Sequence, residues 1–166
     1  VYILGSARTA IGTFGGSLSS ISPIELACEV SREAIKRACI NAEAIGQVAF
    51  GHVINTEPKD MYLSRVAALS AGVSKRAPAM NVNRLCGSGA QAIVSIFQSL
   101  AMDDAEFGLA GGSESMSRSP HIMSEARWGR KMGDSTISDM MNGALSCPFG
   151  TGHMGVTAEN VANEFQ

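Results

Sequence analysis

The order of elements readable in this chain predicts an α/β fold built on a parallel sheet. Short apolar runs at 1–7, 47–50, 79–82 and 107–111 read as strands. Stretches of helical periodicity separate them, giving β-α-β-α-β-α-β to about residue 112. Alternation of this kind means right-handed crossovers with helices on both faces of the sheet. The third helical stretch is also uncharged from Leu85 to Met102, and a helix without a charged face is expected to be buried on nearly all sides.

In order, Tyr2-Ile3-Leu4 is expected to open the chain as a strand, followed by a loop rich in Gly and Ser. Ser22-Pro23-Ile24-Glu25 then marks a helix start, with Ser22 as N-cap, Pro23 at the first helical position and Glu25 completing a capping box. Ile24, Ala27, Cys28, Ser31, Ala34, Ile35 and Ala38 fall on one face, while Glu29, Arg32, Glu33, Lys36 and Arg37 form the wet one. After the strand at 47–50 and a Pro-containing loop, residues 61–71 read as a helix with Leu63, Val66, Ala67 and Ser70 inward. The strand at 79–82 leads through a turn into the uncharged helix, and 107–111 is the fourth strand. Beyond Ser113 the periodicity fades until Thr157, a candidate N-cap for a last helix at 158–165. An irregular stretch of this length reads as a lid or binding excursion.

A net charge of −2 gives no basic footprint for nucleic acid or anionic membrane. The uncharged run contains Ser88, Gln91, Ser95, Gln98 and Ser99, too polar for a membrane span. Cysteines at 28, 39, 86 and 147 show neither zinc-ligand spacing nor Cys-x-x-Cys, so no metal and a reducing, cytoplasmic compartment are expected. There is no initiator Met, and the chain stops within a helical pattern, so a fragment is expected. Four strands in one sheet would shelter only one side of the uncharged helix, which points the same way.

Cys86 carries the strongest chemical signal. It lies between a strand end and the start of a helix, where unpaired N–H groups and the macrodipole favour a thiolate. Gly87 and Gly89 would allow backbone or a bulky thioester to approach the sulfur closely. Gly87-Ser88-Gly89 is not a nucleophile elbow, because the first glycine of Gly-x-Ser-x-Gly would have to stand where Cys86 does. No Gly-x-Gly-x-x-Gly or Walker pattern is present, and His52, His121 and His153 are scattered, so spacing identifies no base for the cysteine.

Asn83-Arg84-Leu85-Cys86-Gly87-Ser88-Gly89 resembles the nucleophile segment of the thiolases. Arg8-Thr9-Ala10-Ile11-Gly12, Gly111-Gly112-Ser113-Glu114-Ser115-Met116 and His153-Met154-Gly155-Val156-Thr157-Ala158-Glu159-Asn160 resemble further family motifs in the same order. Thr56-Glu57-Pro58-Lys59-Asp60-Met61-Tyr62 and Ala126-Arg127-Trp128-Gly129 look most like the broad-specificity β-ketothiolases. The resemblance implies the N-terminal half of an α-β-α-β-α layered fold over 1–114, lacking its last strand, and the start of a coenzyme A-binding loop domain over 115–166.

It implies an acyl-CoA C-acyltransferase that works through an acyl-enzyme on Cys86, with the Cys86 N–H as one oxyanion donor. Leu145, His153 and Met154 would line the pocket for the pantetheine arm and acyl group. Coenzyme A thioesters would be substrates, with no permanently bound cofactor, and the whole protein would be a homodimer or homotetramer. The family's activating His, second catalytic Cys and Asn-Glu-Ala-Phe segment have no counterpart here, and Cys147 reads as incidental, so the chain alone is expected to be inactive. A β-ketoacyl carrier-protein synthase, or a non-catalytic thiolase-like interaction module, are the alternatives. Asn83-Arg84-Leu85-Cys86 and His153-Met154-Gly155 argue against the first, and the intact Cys86 motif against the second.

Overall fold

The structure, a computed structural model, describes residues 1–165. They form two compact units, Val1–Arg118 and the residues from Ser119 on. In the first unit α1 spans Pro23–Ala38, β1 Ile45–Gly51, α2 Leu63–Ser70, β2 Ala79–Val82, α3 Ser88–Ala101 and β3 Phe107–Gly112. The strands are all parallel, in the order β2-β1-β3. β1 is the central and most buried strand: α2 carries the chain from β1 to β2, and α3 carries it from β2 back across β1 to β3.

Local chemistry sets the start of α1. The Ser22 hydroxyl accepts from the Glu25 N–H, and the Glu25 carboxylate accepts from the Ser22 N–H at 2.8 Å. The helix ends at Cys39, which is left-handed and donates its N–H to the Lys36 carbonyl. Its outer face carries the expected Glu33–Arg37 pair at 2.7 Å.

Alternation along β1 divides the two faces of the sheet. Val48 and Phe50 pack with α1 and α2 in a core that includes Ile24, Ala27, Leu63 and Ala67. Ala49 faces α3, where Ala92 and Ile96 complete a much smaller cluster. The α3 face is lined by small residues. A Cβ at Gly108 would lie 2.4 Å from an Ile96 methyl, and one at Gly51 would lie 2.6 Å from the Ser88 backbone carbon. Gly51 lets the backbone of α3 come close to the sheet at the end that carries Cys86, and Gly108 makes room for Ile96 further along.

Several expectations need correction. Residues 1–10 form no strand, so the order begins on α1. This segment lies along α1: the Arg37 guanidinium donates to the Ser6 carbonyl at 3.0 Å, and a Cβ at Gly5 would lie 2.7 Å from the Ala34 carbonyl oxygen. Tyr2 and Ile3 stay exposed, and the outer edge of β3 has no strand partner among the described residues. An apolar run becomes a strand only where a sheet edge takes up its hydrogen bonds, which periodicity cannot report. A cavity of about 1420 Å³ lies among this segment, α1, α3 and β3.

The expected helix at 61–71 is a 3-10 turn, Pro58–Tyr62, running into the shorter α2. Its buried face holds Ser64 and Ala68 with Leu63 and Ala67, whereas Ser70 is exposed and accepts from Arg32. The uncharged α3 buries Ser88, Ala92 and Ile96, so burial on nearly all sides does not hold among the described residues.

The second unit is more ordered than its sequence texture suggests. β4 (His121–Ile122) pairs antiparallel with β5 (Ser138–Asp139), and α4 follows at Met140–Leu145 with Asp139 as N-cap. α5 runs Met154–Phe165, so Thr157 is not its N-cap but a first-turn residue donating its N–H to the His153 carbonyl. Gly155 hid that start in the sequence, because glycine counts against a helix interior but is tolerated near a helix end. No helix among the described residues is long and apolar enough to cross a membrane.

Candidate active site

Cys86 sits in a tight turn between β2 and α3. Asn83 starts the turn, its side-chain carbonyl accepting the Leu85 N–H at 3.0 Å. Gly87 donates its N–H to the Arg84 carbonyl at 3.0 Å, closing the chain around the cysteine. Leu85 is left-handed, with φ +47°, a conformation that disfavours a residue with a Cβ by about 1–2 kcal/mol. Strain of this kind persists only where the surroundings over-determine it.

Ser88 supplies that determination. Its hydroxyl accepts from the Arg84 N–H at 2.8 Å and donates to the Leu85 carbonyl at 2.6 Å, while its own N–H reaches the same carbonyl at 3.0 Å. The side chain is 4% exposed, lying beneath Gly51. Arg84 in turn donates to the Gln91 side chain at 2.8 Å, tying the turn to the second turn of α3.

Cys86 itself is exposed and unpaired in any disulfide. Gly87 is the N-cap of α3 and offers no side-chain cap. Cys86 therefore stands just ahead of the helix, and its N–H makes no hydrogen bond among the described residues. The arrangement offers an accessible thiol next to an unspent backbone donor.

A buried polar cluster lies at the same end of the sheet; Asp60 and Glu114 fall within segments that resemble family motifs, but nothing in the sequence joins them to His52. His52 follows β1, donates its N–H to the Val82 carbonyl, and places Nδ1 2.8 Å from the Ser113 carbonyl. Nδ1 is also 3.3 Å from Glu114 Oε1, and Nε2 lies 3.8 Å from Asp60 Oδ2. Glu114 accepts the N–H groups of Val53 and Ile54 at 2.8 and 3.2 Å. Burial pushes the Glu114 carboxyl above the usual carboxylate range, against the pull of His52 and these two donors. Asp60 accepts from the Thr56 N–H, the Thr56 hydroxyl and the Glu57 N–H, ordering the loop that follows β1.

The other three expected site residues lie in the second unit. Leu145 closes α4 and is half-buried, while His153 and Met154 are exposed where α5 begins. An antiparallel bridge pairs Ser146, the residue after Leu145, with His153. His153 Nδ1 accepts the Gly155 N–H at 3.0 Å, leaving Nε2 to carry the proton when the ring is neutral. Cys147, in the same loop, has its thiol pulled below the usual range by hydrogen bonds from the Thr151 side chain and backbone and from the Phe149 N–H. No group of three potential metal ligands occurs among the described residues.

The exposed cysteine thus stands on a strained strand-to-helix turn at the carboxyl ends of a parallel sheet, the edge at which sites of α/β folds gather. The model of the thiolase N-terminal domain matches residues 1–166, and the chain belongs to the thiolase family. It is 56% identical over 165 residues to the beta-ketothiolase BktB of Cupriavidus necator, covering 99% of this chain and 42% of that protein. It is 40% identical to a cytosolic acetyl-CoA acetyltransferase of Rattus norvegicus over 167 residues, again 42% of that protein. Human mitochondrial 3-ketoacyl-CoA thiolase, solved in complex with CoA, superposes with a TM-score of 0.93 at 33% identity, covering 98% of this chain and 42% of that one. The chain thus spans less than half the length of the relatives it matches.

Proposed function

We propose that the whole protein is an acyl-CoA C-acyltransferase of the thiolase type, making or cleaving 3-ketoacyl-CoA such as acetoacetyl-CoA. The observation that supports it most is the exposed Cys86 thiol beside its own unspent N–H on a rigid turn. The Cys86 thiolate attacks the thioester carbonyl, the carbonyl oxygen takes up negative charge, and the Cys86 N–H donates to it. Collapse expels the coenzyme A thiolate and leaves the acyl group on sulfur. An acetyl-CoA enolate then takes the acyl group in synthesis, releasing the Cys86 thiolate. In thiolysis the thiolate attacks the 3-keto carbonyl instead, collapse breaks the C2–C3 bond and expels an acetyl-CoA enolate that is protonated, and coenzyme A takes the acyl group from sulfur. Further acid–base groups belong to the part of the protein outside this chain.

In this reading residues 115–166 begin the loop domain that binds coenzyme A, with Leu145, His153 and Met154 along the pantetheine arm. The partner is a small-molecule acyl-CoA, and no cofactor is permanently bound. The four free cysteines suit a reducing cytoplasm, and the assembly is a homodimer or homotetramer.

Thiolysis of acetoacetyl-CoA by the whole protein tests the proposal. Cys86→Ala is expected to abolish turnover. Cys86→Ser is expected to lose orders of magnitude, because a hydroxyl is barely ionised at neutral pH. His153→Ala and Met154→Ala are expected to raise KM far more than they lower acylation at saturating substrate. Acylation by a carrier-protein thioester in preference to free coenzyme A thioesters would shift the reading to a β-ketoacyl synthase. A wild-type protein that transfers no acyl group at all would leave a binding module.

A further inference from the structure

We propose that Ser88 is a positioning residue that aims the Cys86 N–H by holding the oxygen end of the Leu85–Cys86 peptide bond. The inference rests on the reading of Cys86 as the acyl acceptor and adds to it a residue that never touches substrate. Its basis is the planarity of the peptide group. In a trans peptide the C=O and the following N–H point in opposite directions within one plane. Fixing the Leu85 carbonyl therefore fixes the direction of the Cys86 N–H.

The Leu85 carbonyl is fixed twice, by the Ser88 hydroxyl at 2.6 Å and by the Ser88 N–H at 3.0 Å. The same hydroxyl accepts the Arg84 N–H at 2.8 Å, so one side chain clamps the backbone at both ends of the Arg84–Leu85 pair that contains the left-handed residue. It is buried, packed against Gly51. Donation into the Leu85 carbonyl also polarises that peptide, which strengthens its N–H as a donor. Cys86, by contrast, is exposed, and among the described residues no side-chain hydrogen bond holds it. Its orientation is inherited from the backbone and hence from Ser88.

The test separates aiming a donor from merely stabilising the turn. Acylation by acetyl-CoA builds charge on an oxygen that needs the Cys86 N–H, whereas alkylation by iodoacetamide displaces iodide at a saturated carbon and builds no oxyanion. In the whole protein, Ser88→Ala is expected to slow acyl-enzyme formation at saturating acetyl-CoA by roughly 10- to 100-fold, less than the full loss of one oxyanion donor. The KM and the rate of Cys86 alkylation, read by peptide mapping, are expected to stay within about threefold.

If Ser88→Ala does not fold, Leu85→Gly serves as the background, since glycine takes the left-handed conformation freely and the turn no longer depends on the clamp. There the Leu85→Gly/Ser88→Ala pair is compared with Leu85→Gly alone, and the same selective loss of acylation is expected. Acylation within about threefold of the matched parent, or acylation and alkylation falling together, would overturn the proposal. A wild-type protein that forms no acyl-enzyme while its Cys86 alkylates normally would overturn the functional reading, and this proposal with it.

Discussion

On one face of the sheet, Val48, Phe50 and Leu109 are closed over by α1 and α2; on the other, α3 buries only Ala92 and Ile96 against Ala49. The first face uses large side chains, a capped helix and an outer surface of ion pairs. The second uses glycine and alanine beneath a helix with no charge and no side-chain cap. Ile93, Val94 and Phe97 remain 54%, 43% and 52% exposed on its outward side. We propose that the rest of the whole protein covers this apolar face. The contrast separates two tasks: the α1–α2 face supplies stability, and the α3 face supplies close approach, which sets the cysteine turn against the ends of the strands.

Truncating the two phenylalanines should produce the largest divergence. Phe50→Ala is expected to destabilise the chain by about 3–5 kcal/mol in chemical denaturation, as for a fully enclosed aromatic ring. Phe97→Ala in residues 1–166 is expected to change stability by no more than about 0.5 kcal/mol, because its ring is half in water. In the whole protein, Phe97→Asp is expected to disrupt assembly, since we propose that the remaining sequence covers α3. A large loss from Phe97→Ala in the chain alone would show that α3 is already covered.

Glycine substitutions probe closeness rather than volume. A Cβ at Gly111 would meet the Phe50 ring at 2.5 Å, and one at Gly51 the Ser88 backbone at 2.6 Å. Both alanine variants are expected to cost about 1–3 kcal/mol by overpacking. Only Gly51→Ala should also slow acylation of Cys86, because it pushes on Ser88. Equal effects of the two on acylation would erase the proposed division between the faces.

Ser22→Ala should be smaller still, about 1 kcal/mol from the lost cap, with Cys86 reactivity unchanged. The pH response should also differ between the faces. The Ser22 backbone and side-chain hydrogen bonds lower the Glu25 carboxyl, and Arg37 lowers that of Glu33. A lowered folded-state pKa gives stability that is present above the ordinary carboxylate value and lost as pH falls through the lowered one. Amide protection factors in α1, with exchange corrected for its intrinsic slowing in acid, are therefore expected to fall below about pH 4, whereas those of α3, with no ionisable side chain, should not respond directly. Glu114 has the opposite sign: its raised pKa favours the folded state in acid, a contribution lost as pH rises through that value.

The same contrast explains what the sequence could reveal. Ser22-Pro23-Ile24-Glu25 announces α1 because a capping box is a contact among neighbours. Cys86 stood out because an uncharged run beginning with glycine is a linear pattern. The left-handed Leu85 was hidden, since nothing about leucine signals a positive φ. The bridging role of Ser88 follows only once Arg84 and Leu85 curl back on the helix start, although the Cys-x-Ser spacing was there to be read. Residues 1–7 carry the right composition for a strand, but a strand needs a partner edge that composition does not name. His52, Asp60 and Glu114 converge only through the ends of β1 and β3 and the loop between β1 and α2, and scattered histidines give no warning of that.

The central claim is that Cys86 receives the acyl group, and its rival within the chain is Cys147, whose thiol is shifted towards the thiolate. The deciding measurement is peptide mapping by mass spectrometry after the whole protein is incubated with acetyl-CoA at mildly acid pH and digested. The acetyl group is expected on Cys86, in near-stoichiometric amount and absent from Cys86→Ala. Acetyl on Cys147, Cys28 or Cys39 with Cys86 bare would contradict the assignment.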